Sequence, residues 1–304
     1  MKKIYDYDLN AGRYEPDAKR SPFAIYNGEA LRRFSVDRPT GIWLTDLDKD
    51  ICKALSTYLV LTSDLLYRLF SNQGCSYEKK EIQTRLAKLS QSAYLQKLGF
   101  ESDSGYSASK AYVLSGRGIG YLNSMGIRYR LGGYLAAQDH VGLKRILAGN
   151  QLLIAGICDS VRVSGIVMIE PKNEHERSFH LFRPTATCFN RNNEAYRFIE
   201  AVRRTTAYED LQNKLERIVN VHKRRSRANI RICEEISVVL IAEDYRHMCE
   251  MIAKVHKEYG KKLNLLYTYD LAIYSSTEPE DALFEYSQDR SSNSFLKKLL
   301  APYL

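Results

Sequence analysis

A chain of 304 residues can hold one large domain or two ordinary ones, and 44% hydrophobic with 27% charged residues is the composition of an ordinary globular protein. There is no apolar run of membrane-spanning length, and the opening MKKIYDYDLN lacks the apolar stretch of a secretory signal, so a cytoplasmic protein without membrane contact is expected. The formal net charge of +9 excludes an acidic, self-solvating chain and favours a polyanionic partner, nucleic acid before others.

That charge is unevenly spread. Between Leu61 and Arg117 there are eight basic against five acidic residues, between Arg197 and Arg231 ten against four, and between Ile232 and Leu304 eight against twelve. The six cysteines, Cys52, Cys75, Cys158, Cys188, Cys233 and Cys249, show no CxxC pair and no zinc-type Cys/His spacing. They are expected as reduced structural thiols, with no metal and no cofactor.

In chain order, residues 1–46 form an arm with turn signals at Asn10-Ala11-Gly12, Ser21-Pro22, Asn27-Gly28 and Pro39-Thr40-Gly41. Its aromatic residues, Tyr5, Tyr7, Tyr14, Phe23, Tyr26 and Trp43, predict a packed strap over a free tail. From Leu47 to Leu59, apolar Leu47, Ile51, Ala54, Leu55, Tyr58 and Leu59 recur at helical spacing and predict a first helix. Thr62-Ser63-Asp64 offers the N-cap of a second, with Leu65, Leu66, Leu69 and Phe70 inward, and Ser71 to Gly74 ends it.

A third helix is expected from Ser76 or Tyr77 to about Ser92, with Ile82, Leu86 and Leu89 buried. Rotation by about 100° per residue puts Lys80, Gln83, Thr84, Lys88 and Gln91 on its outer side, with Lys79 at its start. Lysine, amide and hydroxyl groups populate any solvated helical face, so the context carries the inference. A short helix, a tight turn, a second helix and then a β-ribbon make a winged helix-turn-helix over residues 47–130, a module that puts its third helix in the major groove of DNA.

The ribbon pairs Ala93–Phe100 with Lys110–Leu114 around a polar tip from Glu101 to Ser109. Lys97, Tyr106, Ser107, Ser109 and Lys110 are its candidate contacts to the DNA backbone or minor groove. Gly116-Arg117-Gly118-Ile119-Gly120 looks like a phosphate-binding glycine loop but lacks the strand and lysine context, and reads as the turn closing the ribbon. Ile119, Leu122 and Met125 then begin a further helix.

Residues 131–304 alternate strand-like and helical runs, predicting a mixed α/β sheet domain with a C-terminal tail and an overall fold class of α+β or α/β. Expected are a helix from Tyr134 to about Ala148, then strands Leu152–Ile157, Val161–Ile169, Phe179–Phe182, Ala186–Phe189 and Tyr196–Val202. A long helix Tyr208–Lys223, a strand Ile236–Ala242, a helix Tyr245–Glu258 and a strand Leu263–Tyr269 complete it. The basic run after the long helix, with Arg224, Arg225 and Arg227, suits phosphate contact, and it equally offsets the helix dipole. His140, His175 and His180 meet no nucleophile at a recognisable spacing and read as surface or core histidines.

The element order, and the run from TRLAKLSQSAYLQKLGF to KAYVLSGRGIGYL, resembles the replication-relaxation family of winged-helix proteins and the related mobilisation accessory proteins, encoded on conjugative plasmids and integrative elements of Gram-positive bacteria. The resemblance covers Leu61 to Ile127 well and is fainter beyond. For the second half it implies a restriction-endonuclease-like core, in which Pro-Asp on one strand and Glu-x-Lys or Glu-x-Asp on the next hold Mg²⁺. Here the pattern reads Arg183-Pro184-Thr185 and Glu200-Ala201-Val202, with Lys214 nearby on the long helix.

Because Thr185 and Val202 stand where that site needs an acid and a lysine, a degenerate, non-catalytic domain is expected, with no catalytic residues and no metal ligands. The implied function is a sequence-specific DNA-binding accessory protein, a homodimer on double-stranded DNA that marks a transfer or replication origin and recruits a relaxase or replication protein. The rivals are an autoregulatory transcriptional repressor, a diverged metal-dependent nuclease and a protein-only adaptor.

Overall fold

Eight helices and two sheets take up the backbone of the described residues of this computed structural model, which are 2–4, 30–34, 36–101, 107–127, 139–155, 160–162, 185–190, 195–227, 236–276 and 282–286. The architecture is mixed α+β. The chain divides into two compact units, Pro22–Gly156, and Met1–Ser21 with Ile157–Leu304. Among the described residues no helix is long and apolar enough to cross a membrane.

The first strand, β1 (Lys2–Ile4), belongs to the second unit; the next, β2 (Ala30–Phe34), opens the first. There follow α1 (Asp46–Tyr58), β3 (Val60–Thr62), α2 (Ser63–Asn72), α3 (Lys79–Gln91), β4 (Leu95–Glu101), β5 (Ser107–Leu114), α4 (Gly116–Ser124) and α5 (His140–Ile154). Its sheet runs β2-β4-β5-β3, antiparallel throughout. Helix α1 forms because Leu47, Ile51, Leu55 and Tyr58 make one buried stripe and Thr45 caps it in a reciprocal box with Asp48.

The end of α1 is set from a distance. Leu59 takes a positive φ of 69° and is fully buried. Asn150 of α5 spans the reversal, donating to the carbonyls of Tyr58 and Val60 at 2.7 and 2.8 Å. Those two carbonyls lie on either side of the reversal, and a buried amide that satisfies both holds it closed.

Four local expectations change. The step from Leu59 to Thr62, to which the sequence assigned no element, contains β3, paired with β5. The glycine stretch after the ribbon is the start of α4, capped by the Ser115 hydroxyl, and not a turn; a Cβ on Gly118 would come within 2.2 Å of the Tyr94 carbonyl oxygen. Leu152 to Ile154, expected in a strand, close α5, since a short apolar run has the same appearance in a buried strand and a buried helix. Part of the expected arm is β2, a strand on β4. The first unit also takes in α5, past residue 130.

The second unit holds β1, β6 (Ser160–Arg162), β7 (Ala186–Asn190), β8 (Ala195–Ala201), α6 (Tyr208–Arg227), β9 (Ile236–Ala242), α7 (Tyr245–Tyr259), β10 (Asn264–Tyr269), α8 (Asp270–Ser275) and β11 (Phe284–Tyr286). Its sheet runs β1-β11-β10-β9-β8-β7-β6, with β8, β9 and β10 parallel and β6, β7 and β8 an antiparallel meander. Apolar β9, reading ISVVLIA, is central, as a parallel strand covered on both faces requires. Leu211, Leu215 and Ile218 of α6 and Met248, Met251 and Val255 of α7 pack with Phe198, Val238 and Leu240. The strand expected at Phe179–Phe182, with Pro184, His175, His180, the C-terminal tail and the arm's Tyr5, Tyr7, Tyr14, Phe23 and Tyr26, lies outside the described residues.

Charge gathers at the carboxyl ends of the parallel strands. Arg203, 1% exposed, forks onto Asp270 at 2.6 and 3.2 Å. Burial raises the Asp270 carboxyl to about 6, against the opposing pull of Arg203. Burial first, then the Arg204 and Arg203 charges, pushes His247 down to about 4 from its ordinary 6.5, and its Nδ1 accepts from the Glu243 amide at 3.3 Å.

A histidine with a depressed folded pKa lends stability above its unfolded value and loses it as pH falls toward the folded one, whereas Asp270, with a raised pKa, works in the opposite sense across an overlapping window. His247→Gln removes the first contribution alone. Urea unfolding of the variant at about pH 7 and about pH 4 is expected to show an acid loss smaller than that of wild type by up to about 3 kcal/mol.

Candidate nucleic-acid interface

Helix α3 turns Ile82, Leu86 and Leu89 fully inward and leaves Lys80, Gln83, Thr84, Lys88 and Gln91 exposed, as their spacing requires. The Thr84 hydroxyl donates to the Lys80 carbonyl at 2.9 Å, which leaves its acceptor positions facing out. Lys79, at the first position, is drawn back to Asp64 of α2 at 2.6 Å, so its charge partly serves the contact between the two helices.

What holds α3 in place is buried. Asp48 of α1 is fully buried and accepts from the Thr45 amide at 2.8 Å, the Thr45 hydroxyl at 3.0 Å, Arg85 Nε at 2.8 Å and Arg85 Nη2. The same Nη2 donates to the Trp43 carbonyl at 3.0 Å. The bond to Asp48 raises the Arg85 pKa still further, so the guanidinium stays charged. Burial first, and then the Asp48 charge, pushes the neighbouring Cys52 thiol up to about 12. Cys52 is therefore an inert thiol, and both it and Cys75 are free.

The ribbon presents one basic face across three strands. Arg32 of β2 lies opposite Gly99 of β4, which lies opposite Lys110 of β5; Phe34 lies opposite Lys97. Lys97 Nζ sits 4.2 Å and the Arg32 guanidinium 4.9 Å from the Phe34 ring centroid. Lys97 and Lys110 thus share a face with Arg32, which the sequence left in the arm. Ser107 and Ser109 are on β5 opposite Glu101 and Phe100, and Tyr106 lies outside the described residues. Arg224, Arg225 and Arg227 fall at the end of α6, in the other unit.

Sequence reasoning also missed Arg85 and the placement of Trp43. The signal for the first was present: Thr45-x-x-Asp48 before an apolar run is a capping box, and a buried acid at its third position asks for a cation. For Trp43 the expectation is corrected, since its side chain is 94% exposed and not packed.

In the second unit, Glu200 of β8 is 5% exposed. One oxygen accepts from the Thr185 amide at 3.1 Å and the other from Lys214 of α6 at 2.7 Å, while the Thr185 hydroxyl accepts from the Ala201 amide at 3.1 Å. A small apolar pocket lined by Phe198, Leu211, Leu215, Ile218 and Val238 adjoins it. One carboxylate with both oxygens engaged by protein donors, beside a threonine hydroxyl and a valine, does not fit a divalent-cation site, which needs several free oxygen ligands. Comparison of the chain with family models, with curated proteins and with solved structures finds no match.

Arg85→Ala leaves the Asp48 charge buried with only Thr45 to answer it. The expected loss is about 3 kcal/mol in urea unfolding. A cost below about 1 kcal/mol, the level of an exposed pair, would show that the ion pair does not clamp α3.

Proposed function

We propose that this chain is a sequence-specific, non-enzymatic DNA-binding protein of a mobile genetic element, whose first unit works as a winged helix-turn-helix. The observation that carries it is the exposed row Lys80, Gln83, Thr84, Lys88 and Gln91 on a helix fixed from behind, beside a ribbon with cations on one face. In this reading α3 lies in the major groove, where amide and lysine side chains meet base edges, and Lys97 and Lys110 hold the backbone. The second unit, with Arg224, Arg225 and Arg227 at the end of α6, organises a homodimer and recruits a relaxase or replication protein to a transfer or replication origin in the cytoplasm. Two half-sites about 34 Å apart follow from such a dimer.

An autoregulatory repressor shares the whole DNA surface, and the position of the footprint on the element's own DNA separates the two. A diverged metal-dependent nuclease is the second reading of the sheet unit. The β6-β7-β8 meander, then α6, then β9 parallel to β8, favours it, as does the meeting of Glu200 with Lys214. The engaged Glu200 oxygens weigh against it. Nicking of supercoiled plasmid with Mg²⁺ or Mn²⁺, abolished by Glu200→Ala, would reverse that judgement; intact plasmid is expected.

Removing both charges with Lys80→Ala and Lys88→Ala is expected to weaken duplex binding and to flatten the salt dependence by up to about two phosphate equivalents. Titrations at several salt concentrations measure the slope. A slope equal to that of wild type would mean that α3 does not face the phosphates.

A further inference from the structure

Trp43 is the sole tryptophan of the chain and is 94% exposed; among the described residues the only other large apolar side chains that stand out are Val36 at 38% and Tyr67 at 39%. An indole left in water forgoes one of the largest hydrophobic gains available to a side chain, so its exposure calls for a reason.

The backbone that carries it is anchored on α3. The Thr40 amide donates to the Gln91 carbonyl at 3.3 Å, and the hydroxyls of Thr40 and Ser92 meet at 3.4 Å, at the end of α3. Three residues on, the Trp43 carbonyl is held by Arg85, and Thr45 then caps α1. Residues 40–45 therefore run back along one side of α3, the side where Arg85 adjoins Lys88 and Glu81. The backbone of Trp43 is thus held beside α3, while its indole projects into solvent.

We infer that Trp43 is a DNA-contacting residue, which lays its ring on the deoxyribose wall of the groove that receives α3 and offers its indole N–H to a phosphate. This rests on the reading of the first unit as a DNA-binding module. Charge and chemistry favour nucleic acid over a protein partner: the segment lies against the helix that carries the exposed lysine, hydroxyl and amide row, and the ring is not part of a contiguous apolar patch. An amphipathic ring suits a sugar-phosphate edge, which is apolar on the sugar and anionic at the phosphate.

The single tryptophan is its own reporter. Duplexes selected from a random-sequence pool by binding to the full chain serve as the probe, with binding followed by gel shift and by tryptophan emission. Selected DNA is expected to quench or shift Trp43 emission, and Trp43→Ala to bind roughly tenfold more weakly at an unchanged salt slope, with Trp43→Phe between. A circular-dichroism melt matching wild type shows that the variants fold. Equal affinity for Trp43→Ala together with unaltered emission overturns the inference while DNA binding by α3 stands. Failure of any duplex to be enriched overturns both.

Discussion

The first unit depends on one buried charge. Asp48 is fully enclosed, and a carboxylate without water must find donors from protein. It finds four, from Thr45 and Arg85, and each source settles a different feature. Thr45 fixes where α1 begins. Arg85 fixes α3 against α1, and through its bond to the Trp43 carbonyl it sets the course of the segment beside α3. The helix that carries the exposed polar row is thus oriented from its rear flank by a buried ion pair.

The second unit uses the same principle with different partners. Arg203, after β8, and Asp270, after β10, bridge the carboxyl ends of the two strands that flank β9 with a forked pair, and Lys214 with the Thr185 amide closes over Glu200. Each pair answers a charge that the sheet would otherwise bury alone. At Glu200 both carboxylate oxygens are engaged in this way, one by the Lys214 ammonium and one by the Thr185 amide.

Most elements were legible because their apolar spacing is long and regular. Helices α1, α3, α6 and α7 and strand β9 fall within a few residues of expectation. The misses have separate causes. β2 and β3 are three to five residues long, too short to show a period, and each exists because a ribbon strand offers it a hydrogen-bonding edge. The end of α5 is apolar on every side because it is buried on every side, which erases the periodicity that separates helix from strand. Arg32 was hidden for the same reason as β2, and Trp43 because an aromatic side chain in an irregular segment is ordinarily a packed one.

The sequence by itself determined which helix face is polar and basic, since a period of 3.6 residues sorts Ile82, Leu86 and Leu89 from Lys80, Thr84 and Lys88 without reference to anything else. It also determined that the positions of Thr185 and Val202 supply no carboxylate. Tertiary structure alone decided what stands beside that face. Placing Arg32 on one sheet face with Lys110, across Gly99 of the intervening β4, and the Trp43 carbonyl against Arg85 requires pairing across strands and a buried ion pair between helices, and such relations between residues far apart in the chain leave no local pattern to read.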